Sequence, residues 1–367
     1  MYLHIIQSDT KFPPLIRNLY ESICAGNHVY VIVGEDRELL GFRSVNTVRD
    51  FAALVSFRSD WTGIILHGIL VSFYPYLDAV PRDLKMAWVV WGVEAYSYKH
   101  VDDHGLLEPE TSTFVFDTFS SRMKRSLRPI AWHLRGDFRK FRHVMRRINY
   151  VVTHLESEYK LFRDWGLVES GNVWHDAPVL LLSDLLPSSD HDCSGVRPDI
   201  QVGNSATPAN NHVDVFRRLS EEDLTGRRVL VPLSYGSDDY RAFVIRRGQE
   251  ILGDHFSPIV DFMPLDEYMN LFDRCGIVIL NHYRQQAVGN SIAALWAGRS
   301  LYLGPSTVYR DYKSKGLPVF LFQSDFKLDR VAISPLALRA VRTKLSEFLG
   351  DDSVLRKTAC LLDRLVP

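Results

Sequence analysis

Two hydrophobic rhythms alternate along this chain. Short unbroken apolar runs have the look of strands buried on both faces, and longer stretches with apolar residues every third or fourth position have the look of helices. Residues 2–7 and 28–34 read as strands, and Pro13-Pro14 opens a helix between them through Leu19, Ile23 and Cys24. Such a series is one βαβ unit. Helix is expected over 44–55, then strands over 63–68, 86–92, 149–154 and 178–182, with a helix through Tyr159, Leu161 and Phe162.

Residues 183–198 are rich in Ser, Asp and Pro and read as a linker. The rhythm then restarts. Strands are expected over 199–205, 228–233 and 257–262, and helices over 210–223 and 238–252. Residues 264–305 carry the most regular pattern. A helix with Leu265, Tyr268, Leu271 and Phe272 ends at Gly276, and strand Ile277–Leu280 follows. The polar loop Asn281–Gln286 leads to a helix with Ile292, Leu295 and Trp296, and then to strand Ser300–Leu303. The tail, 334–365, is helical and amphipathic and is placed to cross back over the domain junction.

The expected fold is α/β: two Rossmann-like domains facing a cleft. Residues 1–185 form the first domain, residues 199–335 the second, and 336–367 terminal helices. A length of 367 residues suits two cores, and 46% hydrophobic residues suits sizeable ones. The net charge of −1 gives no global pull towards nucleic acid or membrane. Cys24, Cys193, Cys275 and Cys360 form no CxxC, which argues against a zinc site or disulfide framework and for a reducing compartment. The start lacks the features of a signal peptide, and no apolar run approaches the roughly 18 residues that span a bilayer.

In open α/β sheets ligands bind at the carboxyl ends of strands, so the strand-end loops hold the candidate chemistry. In the second domain these are Gly203-Asn204-Ser205, Tyr235-Gly236, and Arg284, Gln285, Gln286, Gly289 and Asn290. Glycines let a ligand approach the backbone, amides read a base or ribose, and Arg284 beside a helix start suits a diphosphate. The chain has no GxGxxG, Walker A or HExxH, and no metal or other cofactor is expected. In the first domain His67 and Glu94 stand at strand ends, where Glu94 is the expected general base towards a sugar hydroxyl and His67 the substitute candidate. Arg135, Arg139, Arg142 and Arg146 line one face of a basic helix within the cation-rich segment 122–147, which suits an anionic membrane surface or a pyrophosphate-bearing acceptor.

Five stretches together resemble a known family. They are His67-Gly68, Trp91-Gly92-Val93-Glu94-Ala95-Tyr96, Val202-Gly203-Asn204-Ser205, Val231-Pro232-Leu233-Ser234-Tyr235 and Arg284-Gln285-Gln286-Ala287-Val288-Gly289. In order and spacing, over roughly residues 60–312, the chain is similar to the TDP-N-acetylfucosamine:lipid II N-acetylfucosaminyltransferases of enterobacterial common antigen synthesis. The resemblance implies a GT-B glycosyltransferase moving a deoxyamino sugar from a TDP donor to a polyprenyl-diphosphate-linked glycan. It would work in the cytoplasm, peripherally on the inner face of the plasma membrane. Glu94 stands where the family has Asp, and Asn290-Ser291 where it has Thr and an apolar residue. The rival readings are a nucleotide-sugar epimerase or hydrolase of the same fold, and a non-catalytic sugar-binding or membrane scaffold protein.

Overall fold

The computed structural model describes residues 1–6, 12–34, 39–98, 105–116, 137–186, 197–262, 265–330 and 333–367. Two wholly parallel sheets organise them. The first contains β1 (Tyr2–Ile6), β2 (His28–Val33), β3 (Arg43–Val45), β4 (Gly63–His67), β5 (Met86–Val89), β6 (Ile148–Val152) and β7 (Val173–His175), in the order β3-β2-β1-β4-β5-β6-β7. The second contains β8 (Asp199–Val202), β9 (Val229–Pro232), β10 (Phe256–Ile259), β11 (Cys275–Leu280), β12 (Ser300–Leu303) and β13 (Val319–Leu321), in the order β10-β9-β8-β11-β12-β13. Each sheet begins at an inner strand, winds outward, then restarts on the other side. The order therefore reverses between β1 and β4 in one sheet and between β8 and β11 in the other. Those switch points are where a parallel sheet opens a crevice at its carboxyl edge.

The apolar runs form strands because both faces are covered. All five residues of β1 and of β4 are buried. In the first core, Ile6, Ile16, Leu19 and Ile65 pack with Val354, Leu361, Leu362 and Leu365 of the last helix, Asp351–Leu365. In the second, Ile200, Val202, Phe216, Val231, Tyr240 and Ile279 pack together.

The chain groups into two compact units. One contains 1–99, 128–184 and 348–367, and the other contains 100–127 and 185–347. Two pieces thus group across the expected linear division. Helix Pro109–Phe116 belongs to the second unit because Asp214 accepts hydrogen bonds from the amides of Glu110 (2.8 Å) and Thr111 (2.9 Å). The last helix belongs to the first unit, where Tyr2 donates to the carbonyl of Leu362 at 3.1 Å.

Locally, several expectations change, and Gly276, expected to end a helix, lies inside β11 while that helix ends at Phe272. Residues 43–45 are a strand, and the helix begins only at Val48, where the Thr47 hydroxyl accepts from the Asp50 amide. Residues 178–181 are not a strand. Pro178 cannot donate to a ladder, and the apolar run Leu180–Leu182 is buried without one. The edge strand is β7 instead. The third strand of the second unit ends at Ile259 rather than 262.

Candidate active site

The second unit assembles its site at the β8/β11 switch point. After β8 the backbone turns at Gly203 with φ +71°, and a Cβ there would sit 2.4 Å from His212 Nε2 and 2.8 Å from Asn210 Oδ1. Only glycine fits. Asn210 then ties the loop, accepting from the Asn204 amide at 2.9 Å and donating to the Ser205 carbonyl at 3.0 Å. The loop after β9 joins through Ala206, whose amide donates to the Tyr235 carbonyl at 2.7 Å. Gly236 meets Ala206 so closely that a Cβ would lie 2.4 Å from its carbonyl oxygen.

Three expected site residues meet through their side chains. Asn204 donates to the Tyr235 hydroxyl at 2.8 Å and accepts from Gln286 at 3.1 Å. Gln286 also reaches Thr207 at 3.3 Å. Tyr235 is 55% exposed although its hydroxyl is held, so its ring offers a flat face to an aromatic base. Ser205 and Gln285 are buried, and Ser205 holds its own loop through Thr207 and Asn210. Asn290 donates to the Tyr268 hydroxyl at 3.0 Å, and Tyr268 in turn donates to Gln201 at 3.1 Å. Arg284 is half-buried beside His282, whose pKa is lowered by burial first and then by that cation.

Two helices start beside these loops from strained residues. Asn211 (φ 51°) precedes helix His212–Leu219, and Ala287 (φ 54°) precedes helix Val288–Trp296. Among the described residues they alone combine positive φ with a side chain. Left-handed backbone at an alanine costs free energy and persists where its surroundings enforce it, commonly at functional sites. Gly289 and Asn290 lie in the first turn of helix Val288–Trp296. Helix starts of this kind present amides and a positive dipole end to an anion.

Sequence reasoning missed several contributors. The side-chain amide of Asn211 donates to the carbonyls of Leu106 and Asn281, both at 3.0 Å. The Tyr283 hydroxyl donates to Glu108 at 2.5 Å, and Gln323 bonds the same carboxylate oxygen at 2.7 Å. Asn210-Asn211 was a readable signal, since asparagine tolerates the left-handed region before a helix. Glu108 carried none, because its partners lie in a distant part of the chain.

The first unit places both expected catalytic residues at the carboxyl edge of its sheet, next to the β1/β4 switch point. His67 ends β4 and pairs in register with Ile6 of β1. Glu94 is buried, and its Oε1 accepts from Trp88 Nε1 and from the Trp91 amide, both at 3.0 Å. That oxygen pins the turn at Trp91-Gly92. A Cβ on Gly68 would come 4.0 Å from Glu94 Oε1, so the two motifs adjoin.

The basic helix is real over Asp137–Met145, whereas Arg135 and the cations from 122 to 128 lie outside the described residues. Phe141, Val144 and Met145 are buried in the protein core, so this apolar face is unavailable to lipid. Arg139, Arg142 and Arg146 are exposed, and Arg142 and Arg146 lie 3.7 Å and 3.6 Å from Glu169. Only two residues, Arg146 and Arg147, separate the helix from β6. Among the described residues no helix is long and apolar enough to cross a membrane, and no three His, Cys, Asp or Glu residues cluster to hold a metal.

Two parallel Rossmann-like units with candidate loops at their carboxyl edges have the architecture of the GT-B fold. Residues 183–350 match the family described as 4-alpha-L-fucosyltransferase, glycosyl transferase group 56. That span holds every expected donor-loop residue. Solved structures share the architecture at low identity. Sucrose-phosphate synthase from Thermosynechococcus elongatus aligns with a TM-score of 0.63 at 10% identity, covering 99% of this chain and 98% of that one. Anabaena Alr3699/HepE, solved with UDP and glucose, aligns with a TM-score of 0.62 at 11% identity, covering 99% of each. A Thermobaculum terrenum O-GlcNAc transferase mutant aligns with a TM-score of 0.57 at 12% identity, covering all of this chain and 67% of that one.

Proposed function

We propose that the second unit binds a TDP-linked deoxyamino sugar of the N-acetylfucosamine type, and that the enzyme transfers this sugar to a polyprenyl-diphosphate-linked glycan. The carrying observation is the joined set Asn204, Tyr235 and Gln286 beside the strained start of helix Val288–Trp296. Tyr235 offers stacking to the base, the amides offer hydrogen bonds, and Arg284 with the helix start offers charge to the diphosphate. The fucosyltransferase description of the matching family supports a deoxy sugar, and the five-motif resemblance supports the TDP carrier and the lipid-linked acceptor. The donor is a substrate, and the reading needs no metal or other cofactor.

The acceptor then meets the first unit at His67 and Glu94. Arg139, Arg142 and Arg146 hold the protein peripherally on an anionic membrane surface by charge alone, because the apolar face of their helix is already buried. This is the arrangement of an enzyme on the cytoplasmic face of a bacterial plasma membrane.

A thermal-shift series with TDP, UDP, GDP and the corresponding nucleotide sugars tests the donor, since a ligand specific to the folded state raises Tm by mass action. TDP is expected to give the largest shift. Arg284→Ala should weaken nucleotide binding by roughly 1.5–3 kcal/mol, the range for a hydrogen bond to a charged group. Equal calorimetric affinity in wild type and variant would remove the site from this loop.

A further inference from the structure

Three imidazoles cross the first sheet in a continuous chain. His28 opens β2, His4 lies in the middle of β1 and His67 closes β4. His28 Nδ1 is 3.0 Å from His4 Nε2, and His4 Nδ1 is 3.1 Å from His67 Nε2. Ring centroids step by 5.1 and 5.4 Å. Tyr20 packs edge-on against all three rings, and Tyr30 stacks on His4. The two outer nitrogens, His28 Nε2 and His67 Nδ1, are buried and have no hydrogen-bond partner. His4 is 0% exposed, His67 2% and His28 8%, so His28 is the end nearest the surface.

The bonding of the middle ring makes the chain directional. A neutral imidazole has one N–H and one lone pair. His4 bonds at both nitrogens, so it donates to one neighbour and accepts from the other. All the N–H bonds therefore point towards His67 or all point towards His28. When they point towards His28, the outer nitrogen of His67 is a lone pair.

We propose that His28, His4 and His67 form a proton wire, with His67 Nδ1 as the base that takes the acceptor hydroxyl's proton at the carboxyl edge of the sheet. This rests on the glycosyl-transfer reading above. As the hydroxyl oxygen bonds to the sugar and the bond to the diphosphate breaks, its proton passes to His67 Nδ1. His67 Nε2–H passes to His4 Nδ1, His4 Nε2–H passes to His28 Nδ1, and the His28 Nε2 proton passes outwards to solvent from the least buried of the three rings. Every ring is neutral before and after. The wire resets when a proton from water enters at His28 and one leaves His67 Nδ1 for the departing nucleotide diphosphate. Concerted transfer explains how a fully buried imidazole can serve as a base. Burial holds His4 well below the ordinary histidine pKa and lowers His67 to about 3, so lone imidazolium at either position is disfavoured. Burial lowers the pKa of His28 too, opposed by the Glu21 carboxylate and the Tyr20 backbone and reinforced by the N-terminal amine.

Two measurements on the intact chain test this. In histidine ¹⁵N–¹H long-range NMR spectra between pH 6 and 8, each ring should show one protonated and one bare nitrogen, and each facing pair should hold one hydrogen. A doubly protonated ring, or a facing pair with no hydrogen, overturns the wire whether or not any sugar is transferred. In turnover of a TDP-deoxyamino sugar with a polyprenyl-diphosphate glycan, His67→Gln and His4→Gln should each lower kcat by roughly 100-fold, as for loss of a general base. The amide at position 4 keeps both hydrogen bonds but cannot relay, so its KM for donor and its Tm should stay near wild type. The curved dependence of kcat on deuterium fraction, the mark of several protons moving together, should become linear. His4→Gln with wild-type kcat and an unchanged curve overturns the relay. Glu94→Gln keeps the bonds to Trp88 and Trp91 and should cost less than about tenfold, and a larger loss there than at His67 moves the base to Glu94. Failure of wild type to transfer any sugar, with the ordered tautomers present, counts against the glycosyl-transfer reading and against the use of the wire in it.

Discussion

Gly203 shows how one missing methyl group sets the loop proposed for the donor. Its positive φ lets β8 turn, and the space a Cβ would take is filled by His212 and Asn210. Gly203→Ala should therefore cost roughly 1–3 kcal/mol of stability, the range for a strained backbone position, and should weaken nucleotide binding as the Asn204 loop shifts. Urea midpoints and calorimetry on the variant check both effects, and an unchanged midpoint would mean that the loop relaxes freely. The sequence marked Gly203, Asn204, Tyr235 and Gln286 because small and polar residues at strand ends stand out against apolar runs. It could not show that Ser205 and Gln285 are buried and so support the loops from within.

At the scale of elements, amphipathicity identified helix Asp137–Met145 but not what covers its apolar face. Phe141, Val144 and Met145 pack into the protein, which leaves only charge for a membrane. Binding to vesicles containing phosphatidylglycerol should therefore fall steeply as salt rises, because exposed charges are screened. Changing Arg139, Arg142 and Arg146 together to Glu should reduce vesicle binding by more than about tenfold, at ~1 kcal/mol per cation near anionic lipid. Cosedimentation measures this, and undiminished binding by the triple variant would place the contact elsewhere. The local errors have a similar origin. An apolar run such as Leu180–Leu182 is buried whether or not it joins a sheet, and hydrophobicity alone does not distinguish the outcomes.

Over the whole molecule, buried neutral imidazoles tie stability to pH. Burial lowers the pKa of His4, His67, His212 and His282, to about 3 for His67 and His212. The same groups titrate near 6.5 in an unfolded chain, so below that pH the unfolded state binds protons that the folded state refuses. Stability is complete above about pH 6.5 and is lost as pH falls towards about 3, by ~1.4 kcal/mol per group for each unit. Urea midpoints at pH 7.5 and 5.5 should differ accordingly, and equal midpoints would contradict neutral burial.

The sequence by itself determined the alternation of strands and helices, the division into two α/β halves and the polar strand-end loops proposed for the donor. Those features follow from patterns a few residues long. Tertiary structure decided which distant pieces meet. It set helix Pro109–Phe116 against Asp214, returned the last helix to the first core, and brought Glu108 to Tyr283. It also aligned His4 with His28, 24 residues away, and with His67, 63 residues away. Local periodicity says which residues form a strand, whereas the neighbours and register of parallel strands are set by crossover packing over the whole sheet.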